Sequence, residues 1–344
     1  LIELSIDPRD VRPAAPQRLV ALELIATGKA LPKQCVTSAE LDRRLGHPPG
    51  FVERRSGVAQ RYYVSAAESQ SALGAQALRD ALARGGIAPD SIDLLISASG
   101  VQEQALPNTA ARILHHAGLP AGTPGYDVGA SCLSFLCALQ VASGLLHTGA
   151  YRRIAIVAAD LASRGIDWSQ PEASLIFGDG AAAVIVEAGR ASAGIAACRF
   201  ETHPAGRTFC EIRAGGTRRN PRVGVDASDF LFHMEGKRIF RLASELIESF
   251  LQRLLEQNGI SIDDIDVVVP HQASHLAMAH IRQRLGVPAA SVIDIYAQHG
   301  NQVAASMPTA LHEAVITGLA TPGRQMLLLG SGAGLMLGGM VLRT

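Results

Sequence analysis

Residues 91–97 read Ser-Ile-Asp-Leu-Leu-Ile-Ser, and residues 264–269 read Asp-Ile-Asp-Val-Val-Val. Each is an acidic turn running into a short apolar run without polar alternation, the pattern of a strand covered on both faces of a sheet. The flanking segments are alike too. Upstream, residues 71–84 have helical spacing and are stopped by Gly85-Gly86, while residues 244–257 have the same spacing and are stopped by Asn258-Gly259. Downstream, a turn leads to a small-residue segment that opens an apolar helix, then a glycine stop, then another buried strand. The first copy places this helix at 133–147, its stop at Gly149 and its strand at 154–158; the second places them at 303–317, Gly318 and 326–329. A glycine-rich segment closes each copy, Gly178-Asp179-Gly180 before 181–186 and residues 330–334 before 335–342. Buried strands alternating with amphipathic helices are α/β grammar, and two copies of one supersecondary unit are the simplest account. The expected architecture is a duplicated α/β fold with halves 1–190 and 191–344, joined near 187–196, with 207–229 as a long surface loop.

Composition narrows the function classes. Lys+Arg and Asp+Glu are each 31 in 344 residues, so the formal charge is zero, which speaks against a nucleic-acid-binding surface. A hydrophobic content of 48% excludes a mainly disordered chain. No apolar stretch reaches the roughly 18 residues of a membrane helix, and residues 1–10 carry acids where a signal peptide carries bases. A cytoplasmic protein without a membrane partner is expected. Cys35, Cys132, Cys137, Cys198 and Cys210 are odd in number and scattered, without a CxxC pair, so neither a disulfide framework nor a structural zinc site is expected.

Three residues fall at the mouths of the central elements. Cys132, in GASCLSF, stands immediately ahead of an apolar helix, where unpaired amides and the macrodipole favour a thiolate nucleophile; a buried space-filler is the alternative reading. His271, in PHQAS, follows a buried strand at its C-terminal edge, where α/β proteins place functional groups; a capping or core histidine is the alternative. Asn301, in HGNQVAASMP, is either functional or the cap of the helix near 303. The strand-to-helix spacing is 33 residues from Ser99 to Cys132 and 30 from His271 to Asn301, which reads as equivalent placement in the two copies.

The segments GASCLSFLCAL, IFGDGAAA, PHQAS, HGNQVAASMPTAL and GSGAGLMLGG, with RRSGVAQR before them and HMEGKRIFRLA between, resemble in order the β-ketoacyl-acyl-carrier-protein synthase III family of thiolase-fold condensing enzymes. The resemblance implies a five-layer α-β-α-β-α fold, a homodimer and decarboxylative Claisen condensation without metal or redox cofactor. It assigns Cys132 as the nucleophile that takes an acyl group from a thioester. His271 and Asn301 would bind a malonyl thioester carbonyl and stabilise the enolate left when carbon dioxide departs, and backbone N–H groups of Cys132 and Ala333 would form the oxyanion hole. The substrate-binding set so implied is Phe51, Arg55, Leu106, Phe177, Ser274 and Lys237.

Departures from the family pattern concern the thioester carrier. The tryptophan that stacks on the coenzyme A adenine is Phe51 here, its arginine partner is Pro171, and an arginine at the pantetheine entrance is Leu276; Arg55 is kept. Leu106 stands where short-chain relatives place a phenylalanine across the dimer and where olefin-forming relatives place a glutamate, and it cannot do proton chemistry. Arg213, Arg218, Arg219, Arg222, Lys237, Arg238 and Arg241 form a basic cluster that suits an acidic acyl carrier protein, with a solvated loop face as the alternative. Two rival functions are acyl transfer to an alcohol or amine, and a non-catalytic subunit of a condensing complex.

Overall fold

A computed structural model of the chain describes residues 20–189 and 192–344; the acid-bearing residues 1–10 and the centre of the 187–196 junction lie outside them. The described residues begin with β1 (Val20–Ala21) and β2 (Glu23–Ala30). A hairpin of β3 (Gln34–Thr37) and β4 (Gln60–Tyr63) follows, with α1 (Ser38–Leu45) and α2 (Phe51–Ser56) inserted between its strands. Then come α3 (Gln70–Gly85), β5 (Leu94–Ser97), α4 (Thr109–Ala117), β6 (Gly125–Asp127), α5 (Ser134–His147), β7 (Arg153–Asp160), α6 (Pro171–Ser174) and β8 (Gly180–Glu187). The second half opens with β9 (Gly194–Thr202) and a short hairpin of β10 (Cys210–Glu211) and β11 (His233–Met234). It continues through α7 (Gly236–Leu255), β12 (Val267–Pro270), α8 (His275–Leu285), α9 (Tyr296–His299), α10 (Ser306–Ile316), β13 (Gln325–Gly332) and β14 (Met336–Arg343).

The two five-stranded sheets repeat one topology. The first is ordered β2-β8-β7-β5-β6 and the second β1-β9-β14-β13-β12, so β9-β14-β13-β12 retraces β2-β8-β7-β5. In both, the first two pairings are antiparallel and the third is parallel. The fifth strands differ: β6 extends the first sheet beside β5, whereas β1 crosses over to pair with β9. Residues 20–21 therefore complete the second sheet although they precede the first. The acidic turns of the opening motifs have a shared task. The Asp93 carboxylate accepts the amides of Arg152 and Arg153 at 2.9 and 3.0 Å where β7 starts, and Asp266 accepts that of Gln325 at 2.8 Å where β13 starts. Each aspartate thus aligns the parallel strand pair of its own half.

Five layers result. Helices α3 and α4 cover the outer face of the first sheet, α5 and α10 lie between the sheets, and α7 with α8 cover the outer face of the second. The central pair is apolar on nearly every side, as a helix packed all round must be. Phe135, Leu136 and Leu139 of α5 and Met307 and Leu311 of α10 are fully buried in the cluster that joins both sheets. Burial of each such side chain contributes about 1.5–3 kcal/mol, so the halves share one core. Small residues allow the close layers: a Cβ at Gly28 of β2 would overlap the backbone of Ala77 and Ala81 in α3.

The elements expected at 71–84, 94–97, 154–158 and 326–329 appear as α3, β5, β7 and β13. Two expectations shift. The helix at 244–257 starts earlier, at Gly236, because the amphipathic face extends back through Ile239, Leu242 and Ala243. The helices expected from 133 and 303 begin at Ser134 and Ser306, each after a 3-10 turn, Ser131–Leu133 and Val303–Ala305. The 207–229 segment is largely exposed, as expected, but carries β10 and a 3-10 turn, Ala227–Phe230. Among the described residues, no helix is long and apolar enough to cross a membrane.

Candidate active site

Cys132 lies in the 3-10 turn that introduces α5. The turn is opened by Ser131 at φ 54°, a left-handed conformation that a non-glycine residue holds only when its surroundings impose it. Ser134 imposes it: its hydroxyl accepts the Ala130 amide at 2.8 Å and donates to the Ser131 carbonyl at 2.7 Å. The glycine-rich end of β13 lies alongside. A Cβ at Gly332 would stand 3.3 Å from the Ala130 carbonyl oxygen and 3.6 Å from the Cys132 nitrogen. This close approach brings the end of β13 at Gly332, one residue before Ala333, beside the Cys132 amide. The pull of the helix end toward thiolate meets an opposing environment. Loss of solvent around the sulfur, then the Asp160 carboxylate and Cys210, push the thiol up to about 12, against the field of the helix end. Cys132 rests as a neutral thiol.

His271 follows β12 and is held by its amide, which donates to the Leu329 carbonyl at 2.8 Å. A Cβ at Gly330 would stand 2.7 Å from the His271 Cβ and 3.1 Å from Leu133, so this glycine lets the histidine and the Cys132 turn approach the same strand end. The ring is buried; its Nδ1 lies 2.6 Å from the Ser306 hydroxyl, and desolvation lowers its pKa to about 4. It is neutral at physiological pH.

Asn301 is positioned by the IFGDG segment of the other half. Its amide donates to the Ile176 carbonyl at 2.8 Å, and its carbonyl accepts the Gly178 amide at 3.1 Å. A Cβ at Gly300 would stand 2.6 Å from the Ile176 oxygen, and one at Gly178 would overlap the His299 carbonyl, which is why both segments need glycine. The side-chain orientation is also determined. Oδ1 accepts the Val303 amide at 2.8 Å, so the other terminal atom is the donor Nδ2, which spends one hydrogen on the Ala273 carbonyl at 3.1 Å. One N–H of Nδ2 is left over. Since Ala273 is two residues beyond His271, and the Cys132 turn packs on the Val303–Ala305 turn, the three residues converge on one junction between the halves.

They do not occupy equivalent positions. His271 corresponds to Ala98, not Ser99, because Ala98 and His271 make the same bond to the neighbouring strand, to Val157 and Leu329. Ser131 at φ 54° corresponds to Val303 at φ 52°, and Ser134 to Ser306, whose hydroxyl lies 2.9 Å from the Val303 carbonyl as that of Ser134 lies 2.7 Å from the Ser131 carbonyl. Cys132 therefore matches Ala304, and Asn301 lies three residues earlier. The spacing comparison in the sequence was anchored on polar residues, whereas the repeat is carried by backbone turns.

The other expected residues differ in their surroundings. Phe177 is buried next to Asn301, edge-on to Phe232 at 5.1 Å. Phe51 opens α2 and packs against His47 at 4.3 Å, with Arg55 exposed on the same helix; Leu106 is 84% exposed on the loop after β5. Ser274 is instead occupied locally, its hydroxyl capping α8 by accepting the Ala277 amide at 3.2 Å. Lys237 is exposed on the first turn of α7. The basic cluster is partly neutralised from within: Arg213 faces Glu211 and Asp229, Arg218 bonds Glu211 and Arg238 bonds Glu235.

Three participants escaped the sequence reading. Asp160, buried at the end of β7, accepts the amides of Gly100, Val101 and Ala305 and so ties the Leu106 loop to the turn after Asn301. Burial raises its pKa to about 7. Arg61 of RRSGVAQR is fully buried and donates to the Leu175 carbonyl, Ser38 and the Val58 carbonyl, fastening the β3–β4 hairpin to the segment ahead of Phe177. Ser306 faces His271, and the recurrence of serine three residues after a strained turn in both copies was the available signal.

A duplicated five-layer α/β fold with a cysteine, a neutral histidine and an oriented asparagine at the junction defines a class, the thiolase-fold acyl-transferring enzymes. The comparisons narrow it. Residues 126–204 match the model of 3-oxoacyl-acyl-carrier-protein synthase III, and residues 255–344 match the model of its C-terminal part. The Streptomyces coelicolor protein beta-ketoacyl-acyl-carrier-protein synthase III 3 is 34% identical over 325 residues, covering 93% of this chain and 96% of its own. The Thermus thermophilus beta-ketoacyl-acyl-carrier-protein synthase III superposes with a TM-score of 0.85 at 29% identity, over 93% of this chain and 98% of that one. The priming β-ketosynthase of a polyketide biosynthetic pathway superposes with a TM-score of 0.83 at 28% identity, over 97% and 98%. The chain belongs to the 3-oxoacyl-acyl-carrier-protein synthase III family, and is an acyltransferase.

Proposed function

We propose that this enzyme condenses an acyl thioester with a malonyl thioester, with loss of carbon dioxide, through an acyl-Cys132 intermediate. In the first half-reaction Cys132 sulfur attacks the thioester carbonyl; the amides of Cys132 and Ala333 receive the oxyanion, and the thiol proton ends on the departing thiol. In the second, the malonyl carbon–carboxylate bond breaks and its electron pair becomes an enolate. His271 and the free N–H of Asn301 donate to the oxygen on which that charge appears. The enolate carbon then attacks acyl-Cys132, forms the new carbon–carbon bond, and expels the sulfur, which regains a proton.

The observation that carries this reading is the Asn301 side chain, oriented by Val303 and Ala273 so that one N–H is left beside a neutral histidine. An enolate needs such a pair. Acyl transfer to an alcohol or amine has no use for it, and a scaffold subunit would need none of the three groups. The acyl donor is carried on a protein or on a coenzyme A held in a new way, since Phe51, Pro171 and Leu276 replace the family's clamp, and the exposed Arg219, Arg222, Lys237 and Arg241 suit an acidic carrier protein. The enzyme works as a cytoplasmic homodimer, a reading supported by five free cysteines, by the open edge at β6, and by the apolar loop with Val101 53% and Leu106 84% exposed. Its condensation starts a fatty-acid or polyketide chain.

Incubation with a panel of acyl thioesters, followed by intact-protein mass spectrometry and then by malonyl-carrier protein, tests the scheme. An acyl adduct and stoichiometric carbon dioxide are expected; acyl loading with transfer to an alcohol or amine and no carbon dioxide release would overturn it.

A further inference from the structure

The buried Ser306 hydroxyl holds a single hydrogen, and two acceptors lie within reach. One is His271 Nδ1 at 2.6 Å; the other is the Val303 carbonyl at 2.9 Å. The choice determines which end of the imidazole carries the proton. If the hydroxyl donates to Val303, Nδ1 must carry hydrogen and donate to the serine, leaving Nε2 as a bare lone pair toward the reacting groups. If the hydroxyl donates to Nδ1, the ring hydrogen sits on Nε2.

Three observations favour the second arrangement. The Val303 carbonyl already receives the backbone N–H of Ser306 and does not depend on the hydroxyl. The Gln272 amide donates to Ser306 Oγ at 3.4 Å and so competes with a ring N–H for the serine lone pairs. Burial keeps the imidazole neutral, so one nitrogen must be an acceptor and needs a donor. The first half provides the contrast. Ser134, at the equivalent place, faces no imidazole and spends its hydrogen on the Ser131 carbonyl.

We propose that Ser306 is a positioning residue that donates to His271 Nδ1 and thereby holds the ring as the Nε2–H tautomer, the form able to donate to an enolate. The inference rests on the condensation reading for its consequence, but not for its geometry. The same serine that braces a strained turn in one half has, in the other, become the support of a catalytic donor.

The test uses the full-length enzyme labelled with nitrogen-15 at histidine, the His271 signals being identified by their loss in His271→Asn. At pH 7 the wild-type spectrum should show Nε2 protonated and Nδ1 bare. Ser306→Ala should load acyl groups on Cys132 at the wild-type rate while carbon dioxide release falls about 10- to 100-fold, in kcat more than in KM. Ser306→Thr, which keeps the hydroxyl, should recover most of that loss. An Nδ1–H signal in the wild type would overturn the proposal, as would equal loss of both half-reactions in a folded Ser306→Ala protein, or no loss at all. If wild-type enzyme releases no carbon dioxide, the condensation reading falls while the tautomer spectrum alone still decides where the proton sits.

Discussion

Replacing Asn301 by alanine removes three bonds of different consequence. In the proposed scheme the free Nδ2–H donates to the enolate oxygen, and deletion of one such donor costs about 10²- to 10³-fold in rate, or about 3–4 kcal/mol of transition-state stabilisation. The bond from Val303, a β-branched residue at φ 52°, is structural, as is the bond to Ala273. Leaving a buried amide unpaired costs about 1–3 kcal/mol, so the variant should also unfold a few degrees earlier. Asn301→Asp separates the two effects: it keeps an acceptor for the Val303 amide and puts an acceptor where the donor was. Acyl loading, followed by the mass of the acyl-enzyme, should stay within about threefold of wild type in both variants. Carbon dioxide release from malonyl-carrier protein by the pre-acylated enzyme, measured at pH 8 so that the new carboxyl is ionised, should fall by two to three orders of magnitude in both. Equal losses in loading and decarboxylation, or an Asn301→Asp enzyme that decarboxylates within tenfold of wild type, would refute the division of roles.

Other consequences are as direct. Cys132→Ala should show no acyl adduct, and an adduct surviving on the variant would remove this residue from the mechanism. Because the Cys132 thiol is pushed up to about 12, its alkylation rate should climb without a plateau from pH 7 to 10; a plateau near pH 7 would mean a stable thiolate. Asp160 has a folded pKa of about 7, above its unfolded value of 3.8, so its contribution to stability is complete below pH 4 and is lost as pH rises through 7. His271, lowered to about 4, acts oppositely, its neutral burial costing stability as pH falls from 6.5 to 4. Wild type and Asp160→Asn share the histidine, so the difference in their unfolding free energies should widen between pH 4 and 7 in favour of the variant by up to about 4 kcal/mol and stay level above that, and a pH-independent difference would contradict the burial account. Gly28→Ala should cost about 1–3 kcal/mol through overlap with the α3 backbone, read as a lower urea midpoint, and an unchanged midpoint would deny that close approach.

Much of the architecture was legible because local chemistry and global fold agree. The two Ser/Asp-Ile-Asp turns announce strands whose first residues an aspartate pins to the next strand, and that signal is local. So are the glycine stops and the apolar lengths of α5 and α10. The start of α7 was hidden because Gly236-Lys237-Arg238 shows no apolar spacing of its own. Cys132, His271 and Asn301 could be singled out as types at strand and helix ends. Their protonation could not, because it depends on desolvation by residues far away in the chain: the helix end near Cys132 pointed to thiolate, and burial beside Asp160 overrides it. Ser274 was read as a substrate contact, and its hydroxyl oxygen also caps α8, as a serine that opens a helix does.

The sequence by itself determined the repeat, the buried strands and the identities of the reactive side chains, all of which follow from short-range pattern. Only the tertiary structure decided the register between the repeats, because the match runs through the positive-φ turns at Ser131 and Val303 and not through the polar residues near them. It also decided the working state of the site. The Asn301 backbone is held by Ile176 and Gly178 from the other half, its side chain is oriented by Val303 and Ala273, and His271 meets Ser306 thirty-five positions away. A side chain's donor direction and its pKa are properties of what surrounds it in space, and in this fold those surroundings are assembled from both halves at once.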